Sequence, residues 1–282
     1  MRVQLGLDLQ KFINEYIHSK KVVTLARLPR LIIPSQAHYV VLGGNAGAHL
    51  FQDRADFERM FNIIYEQAVR EDVLVHAYSL LTSQVHLMLT PKTSESLSKM
   101  MQSLGRTYVR YFNNRYDRTG TLWAGRYKSS IVESGEWLKK CLIYMDYLPV
   151  RSSELLEDPL NAHSEASGKA GGTLHAPRDY EWSSHLHYIG LRNDALVTAH
   201  ADIWNLGNTP FAREEQYAQL VVRGISVAEI QHIEQSLRGG WILGNHTFIE
   251  HIQRLAHRRV AKAKPGRPAK PAVAPTGGAR IS

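Results

Sequence analysis

Apolar positions between residues 37 and 148 follow two periods, one typical of strands and one typical of helices. Runs rich in β-branched and aromatic residues predict four strands, at Ala37–Leu42, Val73–Leu81, Gln84–Thr90 and Lys128–Val132. Only Thr82 and Ser83 separate the second run from the third. We therefore expect these two strands to form an antiparallel hairpin.

Spacings of three and four residues between apolar positions predict three helices in the same part of the chain. The first follows Asp53, whose carboxylate is a candidate N-cap. The second is predicted at Ser94–Tyr116, and the third at 137–148, where Pro149 is expected to end it. The order β, α, β, β, α, β is that of the ferredoxin-like motif. It predicts an α+β fold with a four-stranded antiparallel sheet and helices on one face, the third helix packing afterwards.

Composition shifts divide the rest of the chain. Residues 1–24 are an N-terminal extension to a domain at 25–158, whose motifs continue at 179–190. Residues 159–178 are rich in Ser, Gly, Ala and Pro and predict a flexible linker or insertion. Residues 191–258 predict a small helical unit, and 259–282 a disordered basic tail.

Charge is concentrated at the C-terminal end of the chain. Of the 34 Lys and Arg residues, eight follow Glu250, beyond which there is no acidic residue. The remaining 26 balance the 26 Asp and Glu residues, so the tail accounts for the whole net charge of +8. No window approaches the about 18 apolar residues of a membrane span, and the lone Cys141 cannot form an internal disulfide. We expect a cytoplasmic protein without a membrane partner or an export signal.

Gln84 and His86 are the first candidate site residues. Strand alternation places both with Met88 on one face of the third strand, away from Val85, Leu87 and Leu89. If that face is open, the amide oxygen and the imidazole can both reach one metal ion. The simpler alternative is two half-exposed polar residues on a solvated sheet face.

Tyr144 is the second candidate. It shares a helix face with Trp137 and Cys141, which is also the pattern of a core tyrosine. A phenol with the ordinary pKa of about 10 is a weak nucleophile. A functional Tyr144 therefore needs a polarised target or a nearby base.

Basic and aromatic side chains alternate between residues 99 and 128, a mixture that can hold phosphates while rings stack on bases. An ordinary basic helix face is the alternative. The DNA-binding candidates here are Arg106, Arg110, Arg115, Arg118, Trp123, Arg126, Tyr127 and Lys128. In the tail, Arg267 lies in KPGRPAK, which resembles an AT-hook for the minor groove of duplex DNA, although a solubilising tail fits equally well. His185 and His187 form a His-x-His pair without a visible partner ligand.

Several motifs occur together in an order that resembles a known family. They are ARLPR (26–30), GGN (43–45), VHAYSLLTSQVHLMLTP (75–91), GTLWAGRYKSS (120–130), IYMDYLPVR (143–151) and DYEWSS (179–184). Over about residues 25–190 the chain resembles the single-tyrosine transposases of the HUH superfamily, and among them the REP-associated tyrosine transposases of bacterial chromosomes.

The resemblance implies a nuclease that cuts single-stranded DNA beside a hairpin. In such proteins a histidine pair holds Mg²⁺ or Mn²⁺, and a helical tyrosine attacks the phosphate to leave a 5′-phosphotyrosine. Tyr144 matches the nucleophile position, and His86 matches the second histidine of the pair. Gln84 stands at the first histidine, and Leu148 stands where a third ligand is usual. Gln84 can still offer an amide oxygen, but Leu148 cannot bind metal, so we expect reduced metal affinity.

Three functions remain open from the sequence. The first is a metal-dependent DNA transposase that uses Tyr144. The second is a catalytically degenerate DNA-binding protein with the same fold. The third is RNA binding, since ferredoxin-like sheets also present aromatic residues to single-stranded RNA. A homodimer is compatible with each of them.

Overall fold

The computed structural model describes residues 30–155, 174–256 and 260–261. The N-terminal extension, most of the predicted linker and nearly all of the basic tail lie outside the described residues. The strands are β1 (Ala37–Gly43), β2 (Val73–Leu81), β3 (Gln84–Pro91) and β4 (Lys128–Val132). The helices of the first half are α1 (Arg54–Arg70), α2 (Ser96–Arg115) and α3 (Glu136–Leu155). All four predicted strands are thus confirmed, with boundaries that differ by at most one residue.

The four strands form one antiparallel sheet in the order β2-β3-β1-β4. This is the order of the ferredoxin-like motif, so the predicted fold class is confirmed. β2 and β3 form the predicted hairpin, with a bulge between Val75 and Ala77. Asp53 caps α1 as predicted, since its side chain accepts a hydrogen bond from the backbone N–H of Asp56.

One face of the sheet packs against α1 and α2. Val85, Leu87 and Leu89 of β3 lie there, as their alternation predicts, together with Met60 of α1 and Leu104 of α2. The opposite face is also covered, by α3 and by helices of the C-terminal part. The expectation that the face carrying His86 is open was therefore wrong: Tyr39, Ala77 and Met88 make it apolar enough to bury.

The C-terminal helices are α4 (His185–Tyr188), α5 (Ala201–Trp204), α6 (Pro210–Arg223), α7 (Val227–Gly239) and α8 (His246–Ala256). Val221 of α6 and Ile233 and Leu237 of α7 share a core with Leu142 and Tyr144 of α3. The chain also covers both edge strands: the backbone N–H of Leu80 donates to Trp182, and that of Leu243 donates to Ile131. None of the described helices is long and apolar enough to span a membrane.

α3 continues past Pro149, whereas the sequence predicted that this proline ends it. Proline removes one intrahelical hydrogen bond and crowds the preceding turn, at a cost of about 3 kcal/mol. Pro149 and Val150 are buried, and the Arg151 guanidinium pairs with Glu234 of α7 at 3.0 Å. These contacts with the C-terminal helices offset the free-energy cost of the proline. They could not be predicted from the local sequence, because the contacting residues are far apart in the chain.

Candidate active site and nucleic-acid interface

Gln84 and His86 converge on one face of β3. The His86 ring nitrogen Nε2 lies 2.9 Å from Gln84 Oε1, and Nδ1 lies 3.0 Å from the Tyr39 hydroxyl. Because an amide oxygen only accepts, Nε2–H donates to Gln84 and Nδ1 accepts from Tyr39. Burial lowers the pKa of His86 to about 3, so the ring is neutral and its tautomer is set by two neighbours.

Tyr144 lies above this pair on α3. Its ring centroid is 6.2 Å from that of Tyr39 in an edge-on arrangement, so Tyr39 stands between Tyr144 and His86. Tyr144 is 6% exposed, and the apolar side chains around it include Ile233 and Leu237 of α7. We call Gln84, His86, Tyr39, Tyr144 and Arg151 the tyrosine site.

The hydroxyl of Tyr144 is protonated in this environment. Burial and, to a smaller extent, the Glu234 carboxylate raise its pKa to about 12 against the opposing effect of the Arg151 guanidinium. The Arg151 Cζ atom lies 5.3 Å from the centre of the Tyr144 ring. The phenol therefore needs help from its surroundings, or from a polarised target, to act as a nucleophile.

Leu148 and Asp146 add no ligand to the tyrosine site. Leu148 is buried in the apolar core one turn after Tyr144. The Asp146 carboxylate accepts hydrogen bonds from His185 Nδ1 at 2.8 Å and from the Tyr217 hydroxyl at 2.7 Å. Asp146 therefore ties α3 to α4 and α6 and is not a substitute for the missing third ligand.

The His-x-His pair of the sequence is not a joint metal site. His185 points to Asp146, whereas His187 Nδ1 accepts a hydrogen bond from the backbone N–H of Asp194 at 3.2 Å. Within the described residues, no three His, Cys, Asp or Glu side chains group as a metal site. The donors that remain are the Gln84 oxygen and the His86 nitrogen, which suit Mg²⁺ or Mn²⁺ in type but are two in number and uncharged. They fit a weakly held ion.

Part of the predicted basic patch lines a groove of about 780 Å³ between α2 and the segment before β4. Its lining includes Arg106, Arg110, Trp123, Arg126 and Tyr127, which we call the arginine groove. No acidic side chain lines it, and Arg106, Arg110 and Arg126 are exposed and make no ion pair with the described residues. Trp123 is anchored by its ring N–H, which donates to the Gly105 carbonyl at 3.0 Å.

The other predicted DNA contacts lie elsewhere. Arg115 pairs with Asp53 and Asp56 at the start of α1, at 2.5 and 2.7 Å. Arg118 lies over the Phe112 ring, with its Cζ atom 5.4 Å from the ring centre. Lys128 is exposed at the start of β4, and Arg267 lies outside the described residues. The structure thus brings together five of the predicted DNA contacts in one groove.

The arginine groove and the tyrosine site meet at the end of β1. Gly43 pairs with Gln84 on β3, and the next residue, Gly44, forms a β-bridge with Trp123. In addition, the backbone N–H of Ala124 donates to the Gly43 carbonyl at 2.9 Å. A strand of DNA held in the groove would therefore pass close to Gln84.

Sequence reasoning missed Tyr39, Arg151 and the Asp146–His185 pair. Tyr39 lies opposite Met88 in the β1–β3 register, so strand alternation together with the pairing would have placed it on the His86 face. Arg151 follows Tyr144 by seven residues, a spacing that repeats on one helix face. No sequence signal links Asp146 to His185, 39 residues later.

Comparisons with known proteins were made for sequence and for structure. No curated protein matches the chain in sequence. A solved structure of a REP-associated tyrosine transposase bound to a REP hairpin is similar over 62% of this chain and 99% of its own, with 10% identity and a TM-score of 0.45. A transposase structure from Deinococcus radiodurans R1 covers 39% of this chain and 88% of its own, with 16% identity and a TM-score of 0.31. Residues 35–144, a span that ends at Tyr144, match the family model described as IS200-like transposase.

Proposed function

We propose that this protein is a DNA transposase that cleaves and rejoins single-stranded DNA beside a hairpin, with Tyr144 as its nucleophile. The observation that carries the proposal is the position of Tyr144. The family match ends at this residue, and in the fold it shares one sheet face with His86 through Tyr39.

The proposed step conserves the energy of the broken bond. The Tyr144 hydroxyl gives up its proton to solvent as its oxygen attacks the phosphorus, the bond from phosphorus to the 3′-oxygen breaks, and the 3′-oxygen takes up a proton to become a 3′-hydroxyl. The phosphate remains joined to the 5′ side of the DNA as a phosphotyrosine. Because no water is consumed, attack by a 3′-hydroxyl on this ester reverses the step and rejoins a strand.

The family is generally metal-dependent, and we propose that Mg²⁺ or Mn²⁺ is the ion here. Gln84 and His86 would hold it, and the bound ion would polarise the scissile phosphate. To bind the ion through Nε2, His86 would take the other tautomer, in which Nδ1–H donates to the Tyr39 hydroxyl oxygen and this bond fixes the orientation of the ring. Since only two uncharged donors are present, the affinity is low.

We propose that the arginine groove binds the hairpin. Arg106, Arg110 and Arg126 offer charges that the described residues do not neutralise, and Trp123 and Tyr127 offer ring faces for unpaired bases. The basic tail, including Arg267, would add contacts to duplex DNA.

One set of observations favours a second function, hairpin binding without cleavage. Tyr144 is 6% exposed under α7, and Leu148 occupies the position of a missing ligand. A protein that retained the groove but lost turnover would have both features.

A covalent-trapping assay separates the two functions. The full chain is incubated with Mn²⁺ and labelled single-stranded hairpins taken from the flanks of its own gene, and a denaturing gel resolves any adduct. Tyr144→Phe should remove the adduct by more than about 10⁴-fold, because it deletes the attacking oxygen.

Tyr147→Phe is the matched control, since Tyr147 lies on the same helix and its hydroxyl donates to the Val221 carbonyl at 3.1 Å. It should leave the adduct in place. Tight hairpin binding by the wild type without an adduct would instead establish the second function.

Restoring the usual ligands tests the metal. The double variant Gln84→His, Leu148→Asn should raise Mn²⁺-dependent nicking by at least about tenfold, since even outer-shell changes shift metal sites by about 10- to 100-fold. Leu148→Ala, which opens similar space without adding a donor, is the control. If the double variant nicks DNA no faster than the wild type, the small number of metal ligands does not limit the nicking activity of this protein.

A further inference from the structure

The Arg151 side chain is a partly exposed neighbour of Tyr144 on α3. It follows Tyr144 by two turns of α3, and its guanidinium carbon is 5.3 Å from the centre of the Tyr144 ring. The side chain is 31% exposed, whereas Tyr144 is 6% exposed. Arg151 is therefore the cation that a phosphate entering from solvent would meet before it reaches the tyrosine.

The hydrogen bonds of Arg151 are incomplete. Its Nη2 donates to Glu234 Oε1 at 3.0 Å, but Nη1 is buried and has no hydrogen-bond partner among the described residues. A buried guanidinium N–H without an acceptor is costly, and the planar fork of arginine matches the oxygens of a phosphate. A phosphodiester oxygen would satisfy the vacant donor.

The charges around Tyr144 agree with this geometry. Burial and the Glu234 carboxylate raise the pKa of Tyr144, and Arg151 acts against them. When a phosphate displaces Glu234 from the Arg151 guanidinium, the Glu234 carboxylate, which disfavours the phenolate form of Tyr144, moves away. The positive charge of Arg151 stays beside Tyr144. Glu234 can still pair with Arg238, at 3.4 Å, so its own charge keeps a partner.

We propose that Arg151 is a catalytic residue that binds a nonbridging oxygen of the scissile phosphodiester and stabilises the negative charge that develops when Tyr144 attacks. The proposal rests on the proposed function. Because Gln84 and Leu148 stand where stronger metal ligands are usual, the metal is only weakly held. Arg151 supplies positive charge beside the scissile phosphate in addition to that metal. Arg151 keeps all its protons, so the bonds made and broken are those of the transposase step itself.

Adduct formation tests the contact directly. With a normal phosphodiester, Arg151→Gln should form the adduct about 100-fold more slowly, the usual effect of removing one transition-state donor, and hairpin affinity should not change. Arg151→Lys should recover part of the rate, because it keeps the charge without the fork. Glu234→Gln should speed the reaction, because it removes the competing carboxylate.

A hairpin with a methylphosphonate at the cleaved linkage separates contact from structure. This linkage lacks the charged nonbridging oxygen, so the defect of Arg151→Gln relative to wild type should shrink to a few-fold. An equal defect on both DNAs would show that Arg151 only supports the helix, and would overturn the proposal.

A second measurement does not depend on cleavage. The Nε–H signal of Arg151 is followed by NMR in the ¹⁵N-labelled full chain during titration with inorganic phosphate, and Arg151→Lys identifies the signal. It should shift with saturation, and at lower phosphate concentration in Glu234→Gln. Arg59, whose side chain is 36% exposed and pairs with Glu66, is the comparison.

The two proposals fail in different ways. If Arg151 responds no more than Arg59, the inference about Arg151 is wrong whatever the gel shows. If Arg151 responds and no adduct forms on any hairpin, phosphate binding stands and the transposase chemistry of Tyr144 fails.

Discussion

The arginine groove and the tyrosine site meet at Gly43 but differ in almost every physical property. The groove is exposed and cationic, and Arg106, Arg110 and Arg126 lack ion-pair partners among the described residues. In the tyrosine site, His86 and Tyr144 are buried and uncharged and the charge of Arg151 is shared with Glu234, whereas Gln84 is exposed. The groove presents unneutralised positive charge to a polyanion, whereas Tyr144 is almost fully covered and shares an apolar core with Ile233 and Leu237 of α7.

This difference means that binding and chemistry place separate demands on the fold. Electrostatic attraction works best with exposed, unneutralised charge. A polarised phosphate transfer works best where water is excluded and donors are held in place. Substitutions in the groove should therefore alter hairpin affinity and have little effect on the cleavage rate. Substitutions in the tyrosine site should alter the cleavage rate and have little effect on affinity.

Acid should separate the buried interior of the fold from the exposed arginine groove most strongly. Burial lowers the pKa of His38 and of His76 to about 4, so both rings are neutral in the folded protein. The unfolded chain takes up their protons near its ordinary pKa of about 6.5. Stability is therefore unaffected above that pH and falls as the pH drops from about 6.5 toward 4. At pH 5 the loss is about 2 kcal/mol for each histidine, while the groove arginines keep their charge.

Urea unfolding at pH 7 and pH 5 measures this loss. The donor arrangement gives the reason, since His38 Nδ1–H donates to the Gln36 carbonyl and Nε2 accepts from the backbone N–H of Ile33. A proton on Nε2 would face another donor. His246→Gln, at an exposed position, should leave the pH dependence unchanged, whereas His76→Gln should make it shallower. Equal stability at both pH values would show that the interior accommodates charge.

The secondary structure was readable from the sequence because it is local. Each strand and the first two helices have their own apolar period, and the cap at Asp53 needs only the residues that follow it. Pro149 was misread because the contacts that carry α3 onward come from α7, more than 80 residues later. The covered sheet face was missed for the same reason.

The candidate site was readable in part. Strand alternation placed Gln84 and His86 together, and the resemblance singled out Tyr144. Neither could report that Tyr39 connects His86 to Tyr144, because that depends on the pairing of β1 with β3. The basic patch was read as one surface, although burial divides its arginines between a groove and an ion-pair cluster.

Arg115 tests that division. It bonds to Asp56, a carboxylate with no exposed side-chain surface that also accepts from the hydroxyls of Tyr111 and Tyr116 at 2.9 and 2.7 Å. Breaking a buried ion pair costs about 3–5 kcal/mol, and the two hydroxyls remain, so Arg115→Ala should lower the free energy of unfolding by about 2–3 kcal/mol. Hairpin affinity should not change, because this charge is already neutralised.

Arg118→Ala is the control for Arg115. Its guanidinium makes a ring contact with Phe112 and no ion pair with the described residues, so the loss of stability should stay below about 1 kcal/mol. Urea unfolding and a binding titration on the same samples give both numbers. A drop in hairpin affinity with Arg115→Ala at full stability would move Arg115 into the DNA interface.

The smallest expected effect, and the most specific, comes from the groove. The triple variant Arg106→Ala, Arg110→Ala, Arg126→Ala should weaken hairpin binding by about tenfold at moderate salt and reduce the salt slope by about 3, one for each lost phosphate contact. Stability should hold, because these exposed side chains have no charged partner in the described part of the chain. The triple variant Arg59→Ala, Arg70→Ala, Arg238→Ala removes the same charge from ion-paired surface positions, so it should leave the slope nearly intact. Equal salt slopes of binding for the two variants would mean that affinity depends only on the net charge of the protein. The arginine groove would then not be the hairpin site.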